Sequence, residues 1–184
     1  MKILHCEQSF GILPGSAPVT LLTDSSISRN HRPLFLPPHH DSWVMTISPA
    51  IRVSRLGKFV APKFARRYYD AFTLVARLRP ATGVTIPASA VDTAFDSSVV
   101  IGDWLEIPSD LSTLTLELSG AINREIKLDL DITDDALAWL STYFMIKHGD
   151  IIIPGDLPDT LSVAIDTSLN INVNSDTCLN FKIK

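Results

Sequence analysis

Hydrophobic and polar positions alternate most regularly in the second half of the chain. The sequence Leu-Thr-Leu-Glu-Leu at 114–118 has a period of two, which is typical of a strand with one buried face. Ser119 and Gly120 can form a turn, and apolar residues recur over 122–130, so this region predicts a β-hairpin. Further short apolar runs predict strands at 99–107, 150–153, 161–165, 169–173 and 179–183.

The first half has shorter apolar runs that are interrupted by turn-forming residues. Proline, glycine and asparagine are frequent in the first forty residues and bound apolar runs at 19–22 and 34–36, where we predict brief strands. We also predict a strand at 47–53. Another β pattern begins at Phe72 and ends at Pro80, because proline cannot continue the hydrogen-bonded ladder.

Two segments have the pattern of a helix. The main helix is predicted at about 133–147, because Thr133 can cap its N-terminus, acidic residues follow directly, and Gly149 lies just beyond its end. A short helix is predicted at about 62–70, where aromatic residues recur every four positions. Two helices among many strands predict an α+β fold that is mainly β.

The composition is that of a folded domain. The chain has 184 residues, 46% of them hydrophobic, with a mean hydropathy of +0.20, and this excludes a disordered chain. We expect a single domain over 1–184, because separate cores usually appear only above about 250 residues. The apolar runs are too short to cross a membrane, no signal-peptide pattern is present, and the two cysteines have no CxxC spacing. We therefore expect a soluble, cytoplasmic protein without membrane contact.

Charge is distributed unevenly along the chain. Residues 1–80 contain eleven basic and four acidic side chains, whereas residues 81–184 contain five basic and sixteen acidic ones. The formal net charge of the whole chain is −4. This imbalance predicts a polarised surface or two halves that pair, and it argues against a protein that binds nucleic acid.

A group of histidines in the first half is a candidate metal site. His31, His39 and His40, with Asp41 beside them, include the ligand types of zinc and iron. Adjacent side chains diverge on an extended chain, however, so His39 and His40 would not face one ion. A solvated, proline-rich loop is therefore the favoured interpretation, and the metal site stays as the alternative. The sequence contains no phosphate-binding glycine loop and no G-x-S-x-G nucleophile motif.

One stretch of the first half resembles a known enzyme family. Ser-Arg-Leu-Gly-Lys at 54–58, followed by Phe-Ala-Arg-Arg-Tyr-Tyr-Asp-Ala at 64–71, is similar to the fumarylacetoacetate hydrolase family, most of all to its small single-domain bacterial members. The likeness continues at 95–98 and from Asp134 to Asp150, and it covers most of the chain. The resemblance implies a mixed β-sandwich or roll, like the C-terminal domain of these enzymes, and it implies a homodimer.

The resemblance also implies a chemistry and the residues that would perform it. Family members are hydrolases, isomerases and decarboxylases that hold Mg²⁺ or Mn²⁺ with a Glu-x-Glu pair and a later Asp, because hard cations prefer carboxylate oxygens. By alignment with the motif, the Glu pair falls on Thr46 and Ser48, and the Asp falls on Arg77. The family's lysine falls on Thr93, and a glycine of its substrate segment is kept as Gly155.

These substitutions predict that the metal site is lost. None of the four acidic residues of 1–80 aligns with a ligand position, and an arginine repels a divalent cation, so we expect no metal cofactor. The leading hypothesis is a non-catalytic protein, a pseudoenzyme, that acts by binding or assembly, either as a homodimer or with an active paralogue.

Two alternatives to that hypothesis concern Arg77. The first is a metal-independent hydrolase, decarboxylase or isomerase of diketo or oxo acids. In it, Arg77 takes the place of the cation and, with Arg79 and Gly155, binds a small oxo acid. The second is a purely structural ion pair between Arg77 and an acidic residue of the second half.

Overall fold

Two β-sheets and three α-helices make up the part of the chain that the structure, a computed structural model, describes: residues 1–82, 90–107, 114–119, 124–128, 131–158 and 160–184. The strands are β1 (Ile3–Cys6), β2 (Val19–Leu22), β3 (Ile27–Arg29), β4 (Trp43–Val53), β5 (Tyr69–Pro80), β6 (Val99–Ile101), β7 (Leu114–Ser119), β8 (Arg124–Leu128), β9 (Ile151–Ile153), β10 (Thr160–Val163), β11 (Ser168–Val173) and β12 (Asp176–Lys182). The helices are α1 (Pro62–Ala65), α2 (Ala90–Thr93) and α3 (Asp131–Tyr143).

The larger sheet is mixed and has eight strands. Its order is β2-β1-β9-β4-β5-β6-β3, and β10 pairs with β4 outside this path. The pairs β1–β9 and β3–β6 are parallel, whereas β4 and β5 form a long antiparallel pair in the centre. The register of β4 and β5 places Thr46 opposite Arg77 and Ser48 opposite Val75.

The larger sheet curls around one of its faces, called the inner face here. Side chains alternate between the two faces of a strand, so Ala50 and Val75 point to the inner face while Ile47 and Leu74 point away from it. Residues of β2 and β3, the two edge strands, join one apolar cluster on the inner face. In a flat sheet of this order those edges would lie about 29 Å apart, so the shared cluster requires curling.

The outer face of the larger sheet is covered by the second sheet and by α3. The second sheet is antiparallel with the order β12-β11-β7-β8. Ile171, Leu179 and other residues of β11 and β12 pack with residues of β4 and β5 in one core cluster. Leu137 and Leu140 of α3 pack beside β1, β4 and β9 in another. This arrangement confirms the predicted α+β, mainly β fold.

The main helix lies at 131–143, so its predicted range of 133–147 was wrong at both ends. Thr133 is buried inside the helix and does not cap it. The helix ends at Tyr143 because Ile146 pairs with Gly57 in a short antiparallel bridge, which draws the chain into an extended conformation. Gly149, with a φ of 84°, forms the turn that follows.

The predicted short helix at 62–70 was too long. An α-helical turn covers only Pro62–Ala65, a 3₁₀ turn covers Arg66–Tyr68, and β5 begins at Tyr69. The four-residue aromatic spacing was misleading because Phe72 already belongs to the strand, where it packs in the core. Pairing of β5 with β4 therefore outweighs the helical pattern.

The predicted strands are largely present, with different bounds. The hairpin of the second half is confirmed as β7 and β8. The strand predicted at 99–107 is shorter, since β6 ends at Ile101, and the run at 34–36 forms only a bridge between Leu34 and Ile183. The strands β1 and β3 and the helix α2 were not predicted, because each has only three or four residues. No helix among the described residues is long and apolar enough to span a membrane.

Candidate functional site

The residues that the family resemblance selected come together on the inner face. Thr46 and Ser48 lie two residues apart on β4, and Arg77 lies on β5 directly opposite Thr46. All three are buried, and the side chain of Arg77 is fully enclosed. Successive side chains of a strand point to opposite faces of the sheet, which explains this placement. The neighbours of these residues along β4 and β5, such as Ile47 and Ala76, face the core between the two sheets.

Arg77 is bonded by protein groups on three sides. Its Nη1 donates hydrogen bonds to Nδ1 of His5 and to Oε1 of Glu7, the latter at 2.8 Å. Its Nη2 donates to the carbonyl oxygen of Thr93 at 3.3 Å. A buried arginine stays protonated and needs such partners, because an unpaired buried charge is costly.

His5 links Arg77 to Asp156. Its Nδ1 faces Nη1 of Arg77 and lies 3.4 Å from Oε1 of Glu7. Carboxylate oxygens accept hydrogen bonds, so Nε2 of His5 donates to Oδ1 of Asp156 at 2.9 Å. Oγ of Ser48 donates to the same oxygen at 2.6 Å.

Arg79 completes this group, which we call the charge cluster: His5, Glu7, Arg77, Arg79 and Asp156. Nη2 of Arg79 contacts Oε2 of Glu7 and lies 3.4 Å from Oδ2 of Asp156. The two guanidiniums and the two carboxylates balance, so these four groups have a formal net charge of zero. Glu7, Arg79 and Asp156 are partly exposed, with side-chain exposures of 18%, 20% and 16%, so water reaches one side of the cluster.

The surroundings of the two carboxylates favour their ionised forms. Burial by itself raises the pKa of Glu7, but the contact with His5 and the charges of Arg77 and Arg79 outweigh burial and hold this pKa well below its usual range. The pKa of Asp156 is also lowered, because His5, Arg79 and the Ser48 hydroxyl together outweigh burial. Burial and the neighbouring Arg79 lower the pKa of Arg77, while Glu7 opposes that change.

The family's metal-ligand positions do not fit a divalent cation. Thr46 and Ser48 offer neutral hydroxyls, and Arg77 offers only donors. A divalent ion about 4 Å from a guanidinium would be repelled by roughly 8 kcal/mol at an effective dielectric constant of 20.

A different set of donors does meet nearby. Ligand atoms of His5, Glu7 and Asp156 all lie within 4.8 Å of one another, and one nitrogen with two carboxylates is a known metal-binding combination. The expectation of no metal site is therefore not supported by this geometry. In the described structure, however, the same three groups bond to Arg77, Arg79 and each other, so an ion would have to displace the arginines.

Two unpaired donors distinguish the charge cluster from a saturated ion-pair network. Nε of Arg77 and Nε of Arg79 are buried, and neither has a hydrogen-bond partner among the described residues. The hydroxyl of Thr46, which lies opposite Arg77 on β4, is also buried and has no hydrogen-bond partner among the described residues. Unpaired N–H groups suit an acceptor such as water or a carboxylate, and they cannot coordinate a metal.

Thr93 and Gly155 support the charge cluster through the backbone. Thr93, in α2, contributes its carbonyl oxygen to Arg77. A Cβ atom at Gly155 would come within 2.8 Å of the Phe10 backbone nitrogen, so only glycine fits where the chain crosses the segment around Phe10. Phe10 N donates to the carbonyl oxygen of Asp156 at 2.7 Å, which fixes the chain that carries this carboxylate.

Sequence reasoning missed three residues of the charge cluster: His5, Glu7 and Asp156. The alignment assigned no acidic residue of 1–80 to a ligand position, and Glu7 reaches the cluster from the residue just after β1, a strand that was not predicted. The alternation of Ile3, His5 and Glu7 on one face was the available signal. Asp156 could have been suspected only because it follows Gly155.

The three histidines at 31, 39 and 40 do not form a metal site with one another in the described structure. His31 bonds to Asp103 at 2.8 Å, whereas His40 bonds to Asp92 at 2.9 Å. The rings of His39 and His40 pack edge-on against Trp43, at 5.0 and 5.1 Å between centroids. These partners assign the histidines to separate polar and aromatic contacts.

No protein-family model and no curated protein matches the chain. Solved structures do match. The fumarylpyruvate hydrolase of Pseudomonas aeruginosa, solved with Mn²⁺ and pyruvate, superposes with a TM-score of 0.80 at 12% identity, covering 100% of this chain and 89% of that one. The 5-carboxymethyl-2-hydroxymuconate delta-isomerase of Mycobacterium smegmatis gives 0.82 at 18% identity, with coverages of 99% and 78%. A protein of Oleispira antarctica, provisionally named a fumarylacetoacetate isomerase/hydrolase, gives 0.85 at 12% identity, with coverages of 100% and 93%.

These superpositions establish the class of fold. Nearly the whole chain is covered in each case, so the chain has the fold of the fumarylacetoacetate hydrolase-like enzymes. The resemblance deduced from the 54–71 motif is confirmed at the level of the fold. Because the identities are low, the activity of those enzymes does not transfer with the fold.

Proposed function

We propose that this chain is a fumarylacetoacetate hydrolase-family protein that has lost the metal-dependent reaction and acts by binding or assembly. The observation that carries the proposal is the position of Arg77. It lies where the family resemblance expects a metal-binding carboxylate, it is fully buried, and Glu7, His5 and Thr93 bond its guanidinium.

Charge balance supports this proposal. A family metal site concentrates carboxylates that require a cation, whereas here two arginines already neutralise the two carboxylates of the charge cluster. A divalent cation would bring two further positive charges without two free carboxylates to receive them. The cluster therefore stabilises the fold without a metal.

Binding of Mn²⁺ is the direct test. Isothermal titration of the purified protein with MnCl₂ should show no binding in the micromolar range, because Arg77 and Arg79 occupy the donors. Arg77→Ala is the informative variant, since it frees Glu7 and His5. Micromolar binding by the wild-type protein that disappears in Asp156→Asn would overturn the proposal and establish His5, Glu7 and Asp156 as a relocated metal site.

A second candidate is a metal-independent site for a small oxo acid, with Arg79 as the accessible cation. The observation that favours it is the pair of unpaired Nε donors on Arg77 and Arg79. Guanidinium donors match a carboxylate well, and the aqueous side of the cluster leaves Arg79 within reach.

Substrate and binding assays separate the two candidates. Pyruvate and oxaloacetate would be titrated against the wild type, Arg79→Gln and the matched surface variant Arg32→Gln, and turnover of oxaloacetate and β-diketo acids would be followed. The first proposal expects that none of the three proteins turns over these substrates faster than a control without protein. Saturable binding or turnover that is lost only in Arg79→Gln would favour the oxo-acid site.

Assembly is the activity that a non-catalytic fold would retain, and we propose a second copy of this chain as the partner. A surface named here the basic apolar face carries five exposed, large hydrophobic side chains among cations. Its residues are Leu56, Phe59, Phe64, Tyr143 and Met145, with Arg55, Lys58, Lys63 and Arg67. The bridge between Gly57 and Ile146 holds its two segments together, and Lys58 Nζ donates to the carbonyl oxygen of Thr142 at 3.0 Å.

The backbone at Phe59 supports an interface at this face. Phe59 has a φ of 53°, in the left-handed region that bulky residues rarely adopt, and the residue is 72% exposed. Phe59 N donates to the carbonyl oxygen of Ser141 at 3.0 Å, so the backbone that carries the exposed side chain is held in place. Strain of this kind persists at positions that are used for binding.

A further inference from the structure

A second concavity lies on the inner face, far from the charge cluster. Along β4, Thr46 marks the cluster and Arg52 marks this concavity, and both side chains point to the inner face. Six residues of strand separate them by about 20 Å. The apolar residues between them, including Ile3, Ala50 and Val75, are fully buried and close the inner face between the two ends.

The concavity has the size and walls of a small-molecule site. Its volume is about 440 Å³, within the range of roughly 300–1,000 Å³ that is usual for ligand pockets. Ile27, Ile101 and Ile151 form its apolar floor, and Trp104 supplies an aromatic wall. The guanidinium of Arg52 lies over the Trp104 ring, 5.2 Å from its centroid.

Some charged groups at the rim are paired within the described part of the protein, and one is not. Arg52 donates from Nε to Asp70 at 3.0 Å, and Asp103 is bonded by His31 at 2.8 Å. The exposed side chain of Arg29 has no hydrogen bond or ion pair within the described residues. Arg29 is therefore a cation at this rim that is available to meet a ligand.

The rim is held rigidly, as a binding site requires. The side chain of Asn30, next to Arg29, donates to the carbonyl oxygen of Cys178 at 3.0 Å and accepts from Asn180 N at 2.8 Å. Asp103 N donates to the same Cys178 carbonyl at 2.8 Å. The second sheet thus fixes the segments that carry Arg29 and Trp104 before any ligand arrives, which lowers the entropic cost of binding.

We propose that this concavity binds a small monocarboxylate with an aromatic or branched apolar body. The apolar part would lie on the isoleucine floor against Trp104, and the carboxylate would meet Arg29 at the rim. This site is independent of the charge cluster, so the proposal stands or falls separately from the lost metal reaction.

Phenylacetate and its neutral isostere phenylacetamide test the proposal. Each would be titrated against the full chain by isothermal calorimetry and by tryptophan fluorescence, since Trp104 lines the concavity. Phenylacetate should bind saturably and about tenfold more tightly than phenylacetamide, because one charge-assisted hydrogen bond is worth about 1.4 kcal/mol or more. Trp104→Phe should remove the fluorescence response.

Arg29→Gln is the decisive variant, because Arg29 is exposed and its loss should not unfold the protein. It should weaken phenylacetate binding about tenfold and leave phenylacetamide binding unchanged. Arg32→Gln, an exposed arginine that does not line the concavity, is the matched control and should bind like the wild type. Absence of saturable phenylacetate binding, equal affinity for the two probes, or an equal loss in Arg32→Gln would each overturn the proposal.

Discussion

At the scale of single residues, Arg77 determines what its site can do. An arginine in a buried strand position survives only with compensating partners. Here Glu7, the residue after β1, supplies the opposite charge, and His5 of β1 supplies a further hydrogen bond. Removal of one partner leaves the other buried and unpaired, which typically costs about 3–5 kcal/mol.

We therefore expect Arg77→Met to lower the free energy of unfolding by about 3–5 kcal/mol, measured by urea denaturation. Glu7→Gln should cost a similar amount, and the double variant should cost less than the sum of both, because neither charge is then left unpaired. Lys182→Met breaks the exposed pair with Asp166 and should leave the free energy of unfolding nearly unchanged, because water screens exposed ion pairs. Additive losses for Arg77 and Glu7 would contradict direct coupling.

The lowered pKa of Glu7 predicts a pH dependence. A carboxyl group whose pKa is lower in the folded state stabilises the fold above its unfolded value, near 4.5, and this stabilisation is lost as the pH falls below that value. The difference in unfolding free energy between wild type and Glu7→Gln should thus be largest at pH 7 and shrink towards pH 3. A constant difference over this range would show that Glu7 is not held ionised by the cluster.

At the scale of elements, close backbone packing joins the two sheets at the end of β6. A Cβ atom at Gly102 would lie 2.6 Å from the Cys178 carbonyl oxygen and 3.0 Å from that of Leu74. Neither backbone group can move away without shifting β12 or β5, so the junction tolerates only glycine.

Gly102→Ala should therefore destabilise the protein by about 1–3 kcal/mol, as overpacking in a core does. Gly15→Ala is the matched control, because nothing lies within 4 Å of a Cβ atom at that position. Thermal unfolding of both variants beside the wild type measures the effect. Equal midpoints for the two variants would mean that the sheets adjust to each other more freely than the packing indicates.

At the scale of the whole molecule, the basic apolar face predicts self-association with an unusual salt dependence. A two-fold interface would bury Leu56 and Phe59 while bringing like charges near each other at its rim. Salt screens that repulsion. Sedimentation equilibrium should therefore show tighter dimers in about 500 mM NaCl than in about 50 mM NaCl.

Leu56→Ser with Phe59→Ser should dissociate this dimer. Ile165→Ser is the matched control, because Ile165 is 67% exposed but lies outside the basic apolar face. A dimer that weakens with added salt would indicate opposite charges across the interface and exclude self-pairing through this face.

Much of the fold could be predicted because its signals are local. The hairpin of β7 and β8 and the end of β5 at Pro80 follow from alternation and from the chemistry of proline. The ends of α3 could not be predicted, since a bridge between Ile146 and Gly57, far apart in sequence, stops the helix.

The sequence by itself determined the strand-rich fold, the family resemblance and the absence of carboxylates at Thr46, Ser48 and Arg77, because these depend on residue types and their spacing. Only the tertiary structure decided what surrounds Arg77. Glu7 follows directly after β1, a four-residue strand next to β9, and Asp156 lies beyond β9, so their meeting with Arg77 depends on sheet order and curling. Contacts across 70 residues or more leave no periodic trace in the chain, and for that reason the charge cluster became visible only in the fold.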